Sequence, residues 1–145
     1  MNISRIIIFI GIITSVISCK PKAQPIDYGS HLCDYCQMTI VDKQFAAEVV
    51  TNKGKAYRYD AIECMLRDQK EDVALYLACD YMSQDKLVDA TKATFLISEN
   101  LPSPMGAFLS AFENKADAEK MHKEKDGKLY DWEAIKQYFL EKESE

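Results

Sequence analysis

Histidine is scarce in this 145-residue chain, which has only His31 and His122. Two imidazoles exclude a histidine-rich catalytic metal site and an HExxH helix, and neither can be placed in a Ser–His–Asp arrangement. Glycine is thin as well. The five present form no glycine-rich phosphate loop. Positive charge is in deficit, with 18 Lys and Arg against 23 Asp and Glu and a net charge of −5. That balance argues against nucleic acid, whose backbone is gripped by basic side chains, and gives no electrostatic pull toward anionic lipid. No apolar run reaches the ~20 residues of a membrane span. With no enzyme constellation left, the chain reads as a non-enzyme.

What is present begins at the N-terminus. Arg5 precedes an apolar run from Ile6 to Ile17, broken only by Gly11, Thr14 and Ser15. This has the length of a secretory h-region. It ends in "VISC", which resembles the lipobox of bacterial lipoproteins, where the Cys is acylated and becomes the first mature residue. Residues 1–18 are therefore expected to be a lipoprotein signal peptide, with Cys19 the lipidated residue. An ordinary signal peptide or an uncleaved anchor would still put the domain outside the cytoplasm, in the cell envelope. Two or three acyl chains hold firmly to a membrane where one would not. Loss of Arg5 takes the net charge from −5 to −6. Residues 19–31, with two Pro, a Gly and polar residues, are expected to be a tether that lifts the domain off the membrane.

The remainder reads as α+β. "QFAAEVV" (44–50) and "KAYRY" (55–59) are strand-like around a "TNKG" turn. Asp60 is expected to cap a helix whose inner face is Ile62, Met65 and Leu66. "VALYLACDY" (73–81) looks like a buried strand. A second series follows. "KLVDA" and "ATFLIS" (93–98) are strand-like, and "ENLPSPMG" is a loop. Residues 107–127 have apolar Phe108, Ala111, Phe112, Ala116 and Met121 at helical spacing, ended by Gly127. "KLYD" is a last strand. Asp131 caps a terminal helix with Trp132, Ile135, Tyr138 and Phe139 inward. The order strand–strand–helix–strand thus occurs twice. We expect two small ββαβ-like units with antiparallel sheets, at 32–84 and 85–145, the latter including the C-terminal helix.

Sulfur is the conspicuous chemistry. Cys33 and Cys36 stand in C-x-x-C spacing, Met38 follows, and Cys64 is followed by Met65. Beside Cys19, four cysteines remain: Cys33, Cys36, Cys64 and Cys79. They could form two disulfides or one closed tetrahedral zinc site. A redox C-x-x-C should open a helix, where the dipole lowers a thiol pKa, but strand-like sequence follows this one. The methionines add a further reading. Met105, between Pro104 and Gly106 on a loop, has no evident packing role, whereas Met65 on a helix face suits the core equally well. Thiolate and thioether together select Cu(I), and a thioether cannot be lost to a disulfide. His31 could add an imidazole; His122 reads as surface. Asp60 and Glu63 lie near Cys64, with capping explaining Asp60.

"CDYCQMTI", "FAAEVVTNKGKAYRYDAIECML" and "SPMGAFLSAFENKADAEKMHKEKDGKLYDWEAI" together resemble the NosL family, lipoprotein accessory factors of nitrous oxide reductase. The resemblance runs from about Cys33 to Ile135. It implies a fold of two ββαβ units, similar to part of organomercurial lyase. It also implies a membrane-anchored Cu(I) chaperone that delivers copper to nitrous oxide reductase through a membrane assembly complex. Carried onto this chain, the family pattern points to Cys36, Met38, Cys64, Met65 and Met105, with Cys33 and His31 as optional additions. The family usually places Gly between the Cys and Met of the first motif, where this chain has Gln37. The alternative is a zinc- or disulfide-stabilised interaction module of the envelope.

Overall fold

The computed structural model describes residues 20–144, so the expected signal segment and Cys19 lie outside the described residues. The chain is α+β, with two antiparallel sheets and a C-terminal helix. In the first unit β1 (Ala47–Thr51) and β2 (Ala56–Tyr59) form a hairpin, α1 (Ile62–Arg67) follows, and β3 (Val73–Cys79) returns to the other side of β1. The turn between β1 and β2 closes at Gly54, whose φ of +80° a side chain would strain. In the second unit β5 (Thr94–Ile97) and β6 (Leu109–Phe112) pair, α2 (Lys115–Lys125) follows, and β7 (Lys128–Tyr130) returns to the other side of β5. The sheet orders β2-β1-β3 and β6-β5-β7 are the same topology used twice. β4 (Leu87–Asp89), expected to open the second unit, instead extends the first sheet beside β3.

α1 packs on the first sheet and against β6, while α2 covers the second sheet. α3 (Trp132–Glu143) lies between the units, touching α1, β5 and β7. Its Asp131 cap forms as expected and accepts from the Ala134 N–H at 2.8 Å. Trp132 stacks with Tyr76 of the first sheet at 4.9 Å and Phe95 of the second at 6.1 Å, joining the two halves in one core. Among the described residues no helix is long and apolar enough to cross a membrane.

Two further expectations fail here. The helix expected from 107 to 127 is a strand and a shorter helix. Leu109–Phe112 is buried throughout and pairs with β5, and the chain turns at Asn114 before α2 begins. A short apolar run buried on both faces fits a strand or a helix equally well by spacing alone. Residues 20–31 are also no free tether. The Gln24 N–H donates to Glu48 Oε1 at 2.8 Å, Arg58 Nε donates to the Pro25 carbonyl at 3.1 Å, and Ile26 and Tyr28 pack on the core. This strap covers the outer face of the first sheet, which is why Glu48 in mid-strand is fully buried. Burial raises the pKa of Glu48, while the Gln24 N–H and Arg58 partly offset that.

Candidate metal centre

The segment from His31 to Ile40 forms a small hairpin. Leu32 bridges Thr39, and the Cys33 N–H donates to the Met38 carbonyl at 2.8 Å. Asp34 fixes it to the sheet edge. The Asp34 N–H donates to the Arg58 carbonyl at 2.8 Å, and the Arg58 N–H returns a bond to Asp34 Oδ2 at 2.7 Å. The tip closes through Gln37, whose N–H reaches the Cys33 carbonyl and whose φ is +65°. This is the left-handed region, so the position where the NosL pattern has Gly is one that favours Gly on backbone grounds. Gln37→Gly is expected to stabilise the chain by roughly 0.5–1 kcal/mol, the left-handed strain removed less the added unfolded-state entropy. A rise in the urea midpoint at unchanged slope would show it.

The hairpin delivers Cys33 and Cys36 to the start of α1. There the ligand atoms of Cys33, Cys36, Asp60 and Cys64 all lie within 4.8 Å of one another. Cys33, Cys64 and Asp60 are buried, and Cys36 is half-buried. Asp60 does not cap the helix as expected. Ala61 holds the N-cap position without a side-chain bond, and Asp60 Oδ1 accepts from the Cys36 thiol at 3.3 Å. A cap was the commoner role for an Asp at that place; only the hairpin folding over it gives it a sulfur partner.

The three thiols are not equivalent. The Cys64 thiol donates to the Cys33 sulfur and, with backbone N–H groups of Cys36, Asp60 and Tyr35, pulls the Cys33 pKa down to about 6 against the opposing effect of burial. Cys64 is pushed strongly up by that shared proton and by burial. Burial pushes Cys36 up to about 11. Cys33 is therefore the first of the trio to give up its proton, and Cys36 and Cys64 hold theirs more tightly.

Cys79 is not in the cluster; its sulfur sits 3.5 Å from the Tyr28 hydroxyl, so the four-thiolate set expected for zinc is not assembled. The four described cysteines are free thiols, with no disulfide among them. His31 is outside the cluster, its Nδ1 accepting from the Asp27 N–H at 2.9 Å. Met65 is in the core beside Leu66, Tyr76 and Trp132. Met38 is exposed on the hairpin, as are Leu32 and Tyr35. Met105 is half-buried against the core cluster that includes Cys33 and Cys64. His122 bonds the Gly127 carbonyl at 3.1 Å, closing the end of α2.

The NosL family model matches residues 26–140, spanning the hairpin, both sheets, α1, α2 and most of α3. The chain belongs to the NosL family. Among solved structures, the crystal structure of the copper chaperone NosL from Shewanella denitrificans is similar at a TM-score of 0.68 and 22% identity. The match covers 77% of this chain and 93% of that one and shows a shared fold. A comparison with curated proteins finds no match. Within this NosL-family fold the sulfur cluster sits where the hairpin meets α1. Its donor set is three soft sulfurs beside one hard carboxylate.

Proposed function

We propose that this chain is a copper chaperone, not an enzyme, which carries one Cu(I) as cargo on Cys33, Cys36 and Cys64. The observation that carries the reading is the convergence of three thiols on one point with only Cys36 reaching the surface. Three thiolates suit Cu(I), which favours soft ligands and low coordination number. A half-exposed ligand lets a partner's sulfur enter and displace the protein's ligands one at a time. Asp60 is a poor donor for Cu(I), so its part is to accept the Cys36 thiol's hydrogen bond and orient that sulfur. Met38 beside the opening and Met105 at the core edge are the thioethers nearest in role.

Family membership supports delivery to a respiratory copper enzyme, with nitrous oxide reductase and its membrane assembly complex as partners. Acylation at Cys19 would anchor the chain to a membrane of the cell envelope. Only four residues lie between Cys19 and the strapped Gln24, five Cα-to-Cα steps with a reach of about 18 Å fully extended. The leash is short, and Arg58 of β2, which bonds the strap at Pro25, also holds the hairpin at Asp34, so the cargo site stays near the membrane.

Anaerobic titration with Cu(I) against a chromogenic chelator tests the reading. One equivalent should bind well below micromolar, and binding no tighter than micromolar would sink it. Because Cys33 already loses its proton near 6 while Cys36 titrates near 11 and Cys64 higher, two protons should leave on loading at pH 7–10. The logarithm of apparent affinity should rise by about two per pH unit there and more steeply below pH 6. Titration in two buffers of different protonation enthalpy counts the protons.

A second reading is zinc held by the same three sulfurs with Asp60 as the fourth ligand, since zinc accepts carboxylate oxygen. Asp60→Asn separates the two. It should cost zinc affinity far more than Cu(I) affinity.

A further inference from the structure

Glu63 is fully buried beside Cys64 on the first turn of α1. Its Oε1 accepts two hydrogen bonds, from the Ser103 hydroxyl at 2.5 Å and from the Ala107 N–H at 3.3 Å. Its Oε2 has no hydrogen-bond partner among the described residues. A buried carboxylate with one orphaned oxygen is a costly choice if the task is only packing. Its two partners are significant in their position. The Gly106 N–H donates to the Ser103 carbonyl at 3.0 Å, closing a turn with Pro104 and Met105 at its centre and Gly106 at φ +73°. Ser103 and Ala107 are the two feet of that turn, and one carboxylate grips both. The turn belongs to the long connection between β5 and β6, which no secondary structure supports and which ends at Phe108 in the left-handed region. Residues adjacent in sequence thus serve different tasks. Cys64 joins the thiol trio, and Glu63 reaches across to the second unit and sets where Met105 stands.

We propose that Glu63 is a positioning residue, which holds the Met105 turn to the start of α1, where Cys64 lies, so that the thioether joins the copper-loaded site. This rests on the trio being the copper site. The alternative role, a plain structural clamp, predicts a loss of stability with no bearing on Met105. Outer-shell partners of metal ligands typically contribute 10–100-fold in affinity, so Glu63→Ala should weaken Cu(I) binding by about tenfold or more.

The test is a double-variant cycle on the full chain, read by Cu(I) competition. Met105→Ala and Glu63→Ala should each lose affinity, and the double variant should lose no more than Met105→Ala alone. Glu63→Gln keeps an oxygen acceptor for both feet and should restore binding to within about threefold of the parent, well short of an outer-shell loss. With methyl-labelled methionine, the Met105 methyl resonance should shift on copper loading in the parent and in Glu63→Gln but not in Glu63→Ala. If Glu63→Ala does not fold, Ser103→Ala releases one foot and should show a smaller loss that disappears in the Met105→Ala background. Losses that multiply in the double variant, or a Met105 methyl that ignores copper, overturn the positioning role alone. Copper binding that survives replacement of Cys33, Cys36 and Cys64 overturns the copper reading itself.

Discussion

Cys64→Ser is expected to lower Cu(I) affinity by more than the ~10–100-fold that loss of an outer-shell partner costs. Two effects combine. Serine removes a soft ligand and offers a hydroxyl that Cu(I) binds weakly. It also removes the thiol that donates to Cys33, the largest influence holding the Cys33 pKa near 6. The remaining pair therefore starts with less thiolate as well as fewer sulfurs. Cys79→Ser is the internal control. That sulfur faces Tyr28 and stands apart from the cluster, so copper affinity should hold within about threefold, less than an outer-shell loss. Competition titration of both variants against the same chelator measures the contrast. Equal losses would mean that the trio is not the cargo site.

Gly127→Ala should be the most destabilising single-methyl addition. Gly127 has φ +113°, and a Cβ there would lie 2.2 Å from the Ile97 carbonyl oxygen and 3.0 Å from Ser98 Cα. The obstacle is backbone, which cannot swing aside as a side chain would. Gly127 precedes β7, and Lys128 pairs with that same Ile97, so relief means prising β7 from β5. The cost should exceed the ~1–3 kcal/mol of a strained backbone position alone. Gly54→Ala supplies the comparison, because φ +80° there meets nothing within 4 Å. It should cost only the strain less the unfolded-state entropy that alanine removes, roughly 0.5–1 kcal/mol. Urea midpoints of the two variants give the difference directly. A Gly127→Ala chain as stable as Gly54→Ala would contradict the close packing at β7.

Local signals were legible where one force dominates. The β1–β2 hairpin, α1, β3, the Asp131 cap and the inward face of α3 follow from turn residues and spacing, because each forms mostly from its own sequence. The duplicated ββαβ order was readable for the same reason, although β4 was assigned to the wrong sheet. Reading failed where a segment's neighbour decides. Leu109–Phe112 becomes a strand because β5 presents an unpaired edge to it. Residues 24–28 become a strap because Glu48 and Arg58 wait on the outer face of the first sheet.

The candidate site divides along the same line. Sequence by itself determined the family, the soft-sulfur chemistry and the importance of the Cys33–Cys36 stretch, since residue types and short spacings carry these. Tertiary structure decided which distant residues join it. Cys64 and Asp60 enter the cluster, whereas Cys79 goes to Tyr28. The physical reason is that a ligand set is fixed by where side chains converge after the hairpin closes over α1. Distances between residues 33, 60 and 64 depend on that closure and on no feature local to any of them.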